Sequence, residues 1–240
     1  MLHSTHKILK VLLTDAERII QKYAVSICSM AYAHLHVAIS YVDTLPVHGI
    51  DNTKSLRRRR MIEYKTIRDL CSIVVDCPHS TPTWTVSGKI VVRNNNIKNG
   101  RIDFSSPSYT DDEHFQQRIK RATPQGGDII ITREAPMGEV GMIPEGAICC
   151  LGQRMVLLRA NPDLCDNYYL LYSLQSTYVQ HQISWSEGTG TTVSNLRIPH
   201  LEQLKIPYLP LLRQKQISSI LKCIEAKIEL NRVINDNLAA

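Results

Sequence analysis

The chain lacks the residue patterns that would make it an enzyme or a metal protein on its own. Its seven cysteines, at 28, 71, 77, 149, 150, 165 and 223, include no CxxC pair. Cys71, Cys77 and His79 come nearest to a metal set, but the fourth ligand and the paired spacing of structural zinc are missing. The thiols therefore read as reduced and mostly buried, as in a cytoplasmic protein. No secretory signal with an apolar core and a small-residue cleavage site opens the chain. The loop Gly188-Thr189-Gly190-Thr191-Thr192 has the composition of a phosphate loop, yet no lysine follows it, which excludes a Walker-type site. Asn161-Pro162-Asp163-Leu164 only partly imitates the Asn-Pro-Pro-aromatic segment of amino-methyltransferases, because it has no ring to stack a flipped base. Asp111, Asp112 and Glu113 adjoin a helix start, where acids suit the macrodipole, and do not form the clustered carboxylates with lysine that a metal nuclease needs. No catalytic residue, metal or cofactor is expected.

A generally basic body is also missing. The formal charge of the 240 residues is +6. Residues 1–60 hold nine Lys or Arg against four acids, whereas the other 180 residues carry nineteen basic and eighteen acidic groups. Any nucleic-acid surface on residues 61–240 must then come from segregation of charge onto one face.

What is present divides the chain into three parts. Residues 1–60 form an N-terminal extension that includes Tyr23 to Val42, twenty residues without Asp, Glu, Lys or Arg, followed by the run Arg57 to Arg60. Twenty residues approach the length of a membrane span, but Ser26, Ser29, His34, His36 and Ser40 dilute it, so an amphipathic helix is expected and no membrane. The arginine run reads as a solvated linker or as a grip for phosphate or anionic lipid. Met61 is expected near the natural domain start, with residues 1–60 an extension or a misassigned start.

From 61 to 210 the pattern is mainly strand and turn. Ser72–Asp76, Lys89–Arg93, Asp128–Thr132, Val140–Ile143 and Arg154–Arg159 are short runs rich in Val, Ile and Leu, bounded by Gly, Pro, Asn and Ser. Asn99-Gly100 is a hairpin signal. Helices are expected over Asp111–Arg121, with Thr110 as cap, and over Cys165–Tyr178. The predicted fold class is α+β: a curved, mostly antiparallel sheet with flanking helices, followed by a long C-terminal coiled-coil-type helix.

That helix occupies 211–240. Pro207 and Pro210 cannot sit inside it, so it should begin near Leu211. Ile217, Ile220, Leu221, Ile224, Ile228, Ile234 and Leu238 recur at three and four residue spacings. On heptads Ile217, Ile224, Asn231 and Leu238 share one column, while Ile220, Lys227 and Ile234 share the next; Asn231 either fixes register or is an exposed, solvated side chain. Leu211 to Leu238 would span roughly 42 Å at 1.5 Å per residue, longer than one small core needs, so these positions are expected to form an interface with another element.

Three segments, in order, carry a family resemblance: KIVVRNNNIKNGRIDF (Lys89–Phe104), GGDIIITREAPMGEVGMIP (Gly126–Pro144) and IPHLEQLKIPYLPLLRQKQISSIL (Ile198–Leu221). Together they make the chain from about Glu63 onward resemble the specificity subunits of Type I restriction-modification systems, at the junction where a DNA target recognition domain gives way to a spacer helix. The resemblance implies a non-catalytic subunit of a DNA methylation complex. It would read one half of a bipartite site in double-stranded DNA and dock a methyltransferase (modification) subunit and, through it, a restriction subunit. It also makes the GTGTT loop part of the boundary before the spacer helix. The family usually carries two recognition domains and two spacer helices; one set is present here. The chain is therefore expected either to pair with a second copy or a second recognition domain, or to be a truncated fragment, the helix still running at Ala240.

Under that reading, base edges are read by Arg, Asn or Gln, and phosphate is held by Lys, Arg, Ser, Thr and backbone amides. Arg133, after the strand Asp128–Thr132, is the leading candidate. Arg93, Asn94 and Asn95, with Lys98 close behind, are contact or scaffold, since asparagines at a strand end also suit a turn. Arg118, Lys120 and Arg121 either clamp phosphate or complement a helix C-terminus. His79 lies in the loop HSTPTW, where Trp84 is more often a core anchor than a stacking platform. Gln153 and Arg154 precede a strand and support the sheet. A helical interaction adaptor that does not bind DNA, tethered by the N-terminal apolar helix, is the alternative class.

Overall fold

The computed structural model describes residues 62–185 and 195–239, with side chains to Asn237. The expectations for residues 1–60, for Met61, for the GTGTT loop and for the side chain of Leu238 lie outside the described residues. Residues from Ile62 to Ile224 belong to one compact unit, and those from Glu225 onward to a second.

The first unit is layered around a six-stranded sheet. Its strands are β2 (Cys71–Asp76), β4 (Ile97–Lys98), β5 (Gly100–Ile102), β7 (Ile129–Thr132), β8 (Val140–Met142) and β10 (Met155–Ala160), in the order β2-β10-β7-β8-β5-β4. All pairings are antiparallel except β5 with β8. Strand β7 is buried on both faces, which explains its unbroken Ile-Ile-Ile-Thr. The side-chain alternation of a strand sends Ile129 and Ile131, with Val156 and Leu158 of β10, into one core, and Ile130, with Met155 and Leu157, into the other.

Helices cover the first face. They are α3 (Asn167–Gln175), α4 (Thr177–Ser184) and α5 (Ile198–Gln203), together with the short α1 (Ile67–Leu70). A three-stranded sheet packs on the second face. Its strands are β3 (Lys89–Val92), β6 (Ser108–Thr110) and β9 (Cys149–Leu151), in the order β6-β3-β9, and β3 and β9 are parallel. Helix α2 (Asp112–Arg118) seals this sheet through Phe115, which packs on Val91 and Cys150. A two-stranded ribbon of β1 (Glu63–Thr66) and β11 (Lys205–Tyr208) closes the unit.

The α+β class with antiparallel-rich sheets and a C-terminal helix is what the sequence predicts. The strands of the described residues are not joined in one sheet, however; they form three. Two parallel pairings and the β1–β11 ribbon join strands distant in sequence, and local patterning cannot reveal such partners. The helix expected over Cys165–Tyr178 is two. Ser176 takes an extended conformation (φ −63°, ψ 147°), and its hydroxyl accepts from the Val179 amide, so one serine ends α3 and caps α4. Helix α2 is capped by Asp111, not Thr110, and stops at Arg118. The hairpin turn is where expected, with Asn99 (φ 50°) and Gly100 (φ 81°) both left-handed.

The long helix α6 spans Leu211–Ala239. Its first turns belong to the first unit, because Gln214, fully buried, donates to the carbonyls of Leu164 and Leu209 (3.0 and 2.8 Å) and accepts from the Asp166 amide (2.9 Å). Ser218 adds a bond to the Asp166 carboxylate at 2.6 Å. Asp166 also caps α3 by accepting from the Tyr169 amide, so one carboxylate ties two helices together. No helix among the described residues is long and apolar enough to cross a membrane.

Candidate nucleic-acid interface

Antiparallel pairing brings the end of β2, the start of β10, the end of β7 and the start of β8 to one end of the large sheet. The three-stranded sheet delivers the ends of β3 and β9 to the same place, where the Gly152 amide donates to the Val92 carbonyl at 2.8 Å. Five loops therefore converge: 77–88, 93–96, 133–139, 152–154 and the segment 195–197. They carry Arg93, Arg133, Arg154, Arg197 and His79, against Glu134 and Glu139; Arg118 and Arg121, at and after the end of α2, and Asp76, the last residue of β2, border them. Net positive charge is concentrated here although residues 61–240 are almost neutral overall.

A polar frame holds these loops. Asp76 accepts from Arg133 Nη1 on both carboxylate oxygens (3.1 and 2.9 Å) and lies 3.0 Å from His79 Nε2. Arg133 also donates to the Leu196 carbonyl at 2.9 Å and to Asn195 Oδ1 at 3.3 Å. Asn195 in turn donates to Glu134 at 2.7 Å, and Glu134 pairs with Arg154 Nε at 3.2 Å. Asn94 donates to the Glu134 carbonyl at 2.7 Å, while its Oδ1 is buried without a partner. Ala135 and Arg154, both left-handed at φ 46° and 65°, sit inside this frame. Each such residue costs roughly 1–2 kcal/mol, which the network offsets.

The expected contact residues separate into two kinds. Arg133 is tied inward, its side chain only 12% exposed, and Arg118 is buried. Arg118 donates to four carbonyls, of Leu151, Gly152, Ser80 and Pro78, at 2.8 to 3.3 Å, and so staples the loop after β2 to the end of β9. Burial lowers its pKa, and the four carbonyls take the place of water around the charge. Asn94 and Arg121 also serve the frame, Arg121 reaching the Asp76 carbonyl at 3.2 Å. Arg93, Asn95, Lys120 and His79 are exposed. Lys98 stands on the edge strand β4, at the opposite side of the sheet from β2, within 3.9 Å of Asp103.

Sequence reasoning passed over Arg197, exposed beside Asn195 and Leu196, and undervalued Trp84, which is 46% exposed and not a core anchor. It also gave Arg154 and Gln153 only a supporting part in the sheet; Gln153 ties the His79 carbonyl and Thr81, so it too fixes the converging loops. Arg197 has no motif to mark it, only its position one residue before α5.

Among the described residues there is no group of three or more His, Cys, Asp or Glu that could hold a metal. Cys71 opens β2 and Cys77 follows its last residue, roughly 20 Å away at 3.3 Å per residue. The described cysteines are free, and all but Cys71 and Cys223 are buried. Burial pushes the Cys71 and Cys149 thiols up to about 12 and Cys150 to about 11, so they are protonated and unreactive at neutral pH.

Along α6 the expected interface positions also divide. Within the first unit Ile217 packs on the larger core, Leu221 and Ile224 are half-buried, and Ile220 is exposed. Lys222 lies 3.9 Å over the Tyr168 ring. In the second unit Ile228 is half-buried, whereas Asn231 and Ile234 are exposed.

The model of one protein family, the Type I restriction modification DNA specificity domain, matches residues 62–240. The putative type I restriction enzyme MjaX specificity subunit of Methanocaldococcus jannaschii is 33% identical over 105 residues, which are 44% of this chain and 24% of that protein. A chain solved in work on complex assembly and conformational transition of the type I R-M system superposes with a TM-score of 0.57 at 16% identity, covering 99% of this chain and 54% of that one. The HsdS subunit from Thermoanaerobacter tengcongensis gives 0.56 at 17%, with 94% and 50% covered. At such identities the structures share the fold. The chain spans about half the length of these solved chains and matches about a quarter of the curated relative.

Proposed function

Because the chain belongs to the Type I restriction modification DNA specificity domain family, we propose that residues 61–210 are a target recognition domain that reads one half of a bipartite site in double-stranded DNA. The reading face is the loop end of the six-stranded sheet. The observation that carries this is the convergence of five loops there, with a frame of internally satisfied arginines beneath and exposed Arg93, Asn95, Lys120, Arg197 and His79 above. Arg93 and Asn95 read bases; His79, Lys120 and Arg197 hold phosphates and set register, with Lys98 reaching the backbone further along the duplex. Arg133, Arg118, Arg121 and Asn94 position the loops.

Residues 211–240 act as the spacer and dimerisation helix. Its first turns fix the helix to the domain through Gln214 and Ser218. Ile220, Ile224, Ile228, Asn231 and Ile234 face an antiparallel helix from a second recognition domain or a second copy. The chain itself is not an enzyme; it docks a modification subunit and, through the complex, a restriction subunit, and these supply the chemistry. DNA binding falls steeply with salt, because phosphate neutralisation dominates its affinity.

Methylome sequencing of cells with and without the chain tests the reading. Loss of one bipartite methylation pattern on deletion is expected; an unchanged methylome removes the specificity function.

A further inference from the structure

Resting on the DNA-reading face above, we infer that Trp84 and Arg93 together form a guanine-reading element. The Arg93 guanidinium carbon lies 5.2 Å from the centroid of the Trp84 ring, and both side chains are exposed at the convergent loop end. The backbones beneath them are fixed. Thr85, next to Trp84, bridges to Tyr109, its amide donating at 3.0 Å. Arg93 follows β3 directly, and its own amide donates to Asn96 Oδ1 at 2.9 Å.

The neighbouring arginines are spent differently. Arg133 and Arg154 are paired with carboxylates, while Arg118 and Arg121 are bound to carbonyls. Arg93 instead lies over an aromatic face, and its side-chain hydrogen bond among the described residues is a long one, 3.5 Å to Ser108 Oγ. A guanidinium held over a ring by cation–π attraction keeps the N–H donors that are not turned to Ser108 open. Two parallel edge donors match O6 and N7 of guanine in the major groove, so the indole serves as a rest that holds the fork for bidentate readout. Lysine could not replace it, since an ammonium has no fork. Trp84 is a positioning residue and Arg93 the contact.

The test is selection of binding sites from randomised duplex DNA by the full chain assembled with its modification subunit. Wild type is compared with Arg93→Lys, Trp84→Phe and Trp84→Ala. Wild type should select a site containing a guanine whose preference falls roughly tenfold to a hundredfold in Arg93→Lys. Trp84→Ala should relax that same position and no other, and Trp84→Phe, which keeps a ring face, should recover part of the preference. A wild type that selects no site overturns the DNA-reading function itself. A wild type that selects a site, with Arg93→Lys and Trp84→Phe leaving every base preference intact, overturns this pair alone. So does a uniform loss of affinity in Trp84→Ala without change of base preference.

Discussion

Arg133 and Asp76 form a largely buried ion pair in which one guanidinium nitrogen meets both carboxylate oxygens, at 3.1 and 2.9 Å, with side chains only 12% and 11% exposed. The pair joins the end of β2 to the end of β7. Its counterpart at the other end of the sheet is Arg159 with Asp128, at 2.8 and 2.7 Å. One arginine–aspartate clamp thus ties β2 to β7 and the other ties β10 to β7, and the one at the loop end also anchors residues 195 and 196. Removing one partner strands the other charge in a poorly hydrated site. Arg133→Ala or Asp76→Ala should cost about 3–5 kcal/mol, read by urea unfolding. The double variant should cost less than the sum of the two, and strict additivity would show that the pair is not coupled.

Gln214 is the corresponding joint for the long helix. Gln214→Ala leaves the Asp166 amide and the Leu164 carbonyl without their partner in a buried site. A loss of about 2–3 kcal/mol is expected by the same unfolding measurement. Gln214→Glu keeps the acceptor but loses both amide donors, so it should not rescue. Stability unchanged in both variants would mean that the helix is not held through this side chain.

Thiol chemistry should follow burial. Alkylation at neutral pH, mapped by mass spectrometry, should modify exposed Cys223 quickly and reach Cys71, Cys149 and Cys150 only on unfolding, because desolvation keeps those thiols protonated. Rapid labelling of Cys149 or Cys150 in the folded protein would show that the three-stranded sheet is not sealed as described.

Acid sensitivity should arise in part from the caps. The Thr66 hydroxyl and amide hold the Asp69 carboxyl below its ordinary value of 3.8, and the His114 amide and ring do the same for Asp111. A carboxylate with a depressed folded pKa contributes stability that is fully present above its unfolded value and is lost as pH falls through the folded one. The urea midpoint should therefore drop below about pH 4, and less steeply when Asp69 and Asp111 are both changed to Asn. An identical acid limb in the double variant would assign the loss to other groups.

Much of the fold was legible because strand runs and helix breakers are local signals. Ile129–Thr132, Met155–Ala160 and the helix start after Pro210 follow from patterning within a few residues. The partners of β1 and β11 did not, since that pairing depends on the closed fold and not on either segment. Of the candidate site, the loops were legible in the sequence and the partners of their side chains less so. Arg133 and Arg93 look alike in sequence, each following a run of β-branched residues. Only the fold places a carboxylate beside the first and an indole beside the second. Arg197 carried no signal, its position depending wholly on how α5 returns to the sheet.

The most direct test is site-specific photocrosslinking of the full chain, assembled with its modification subunit, to duplex DNA. One probe replaces Asn95 at the loop end of the sheet, and another replaces exposed Glu145, beyond β8 at the far end. The expected result is a salt-sensitive crosslink from position 95 and none from 145. A crosslink from 145 with none from 95 would contradict the assignment of the loop end as the DNA-reading face.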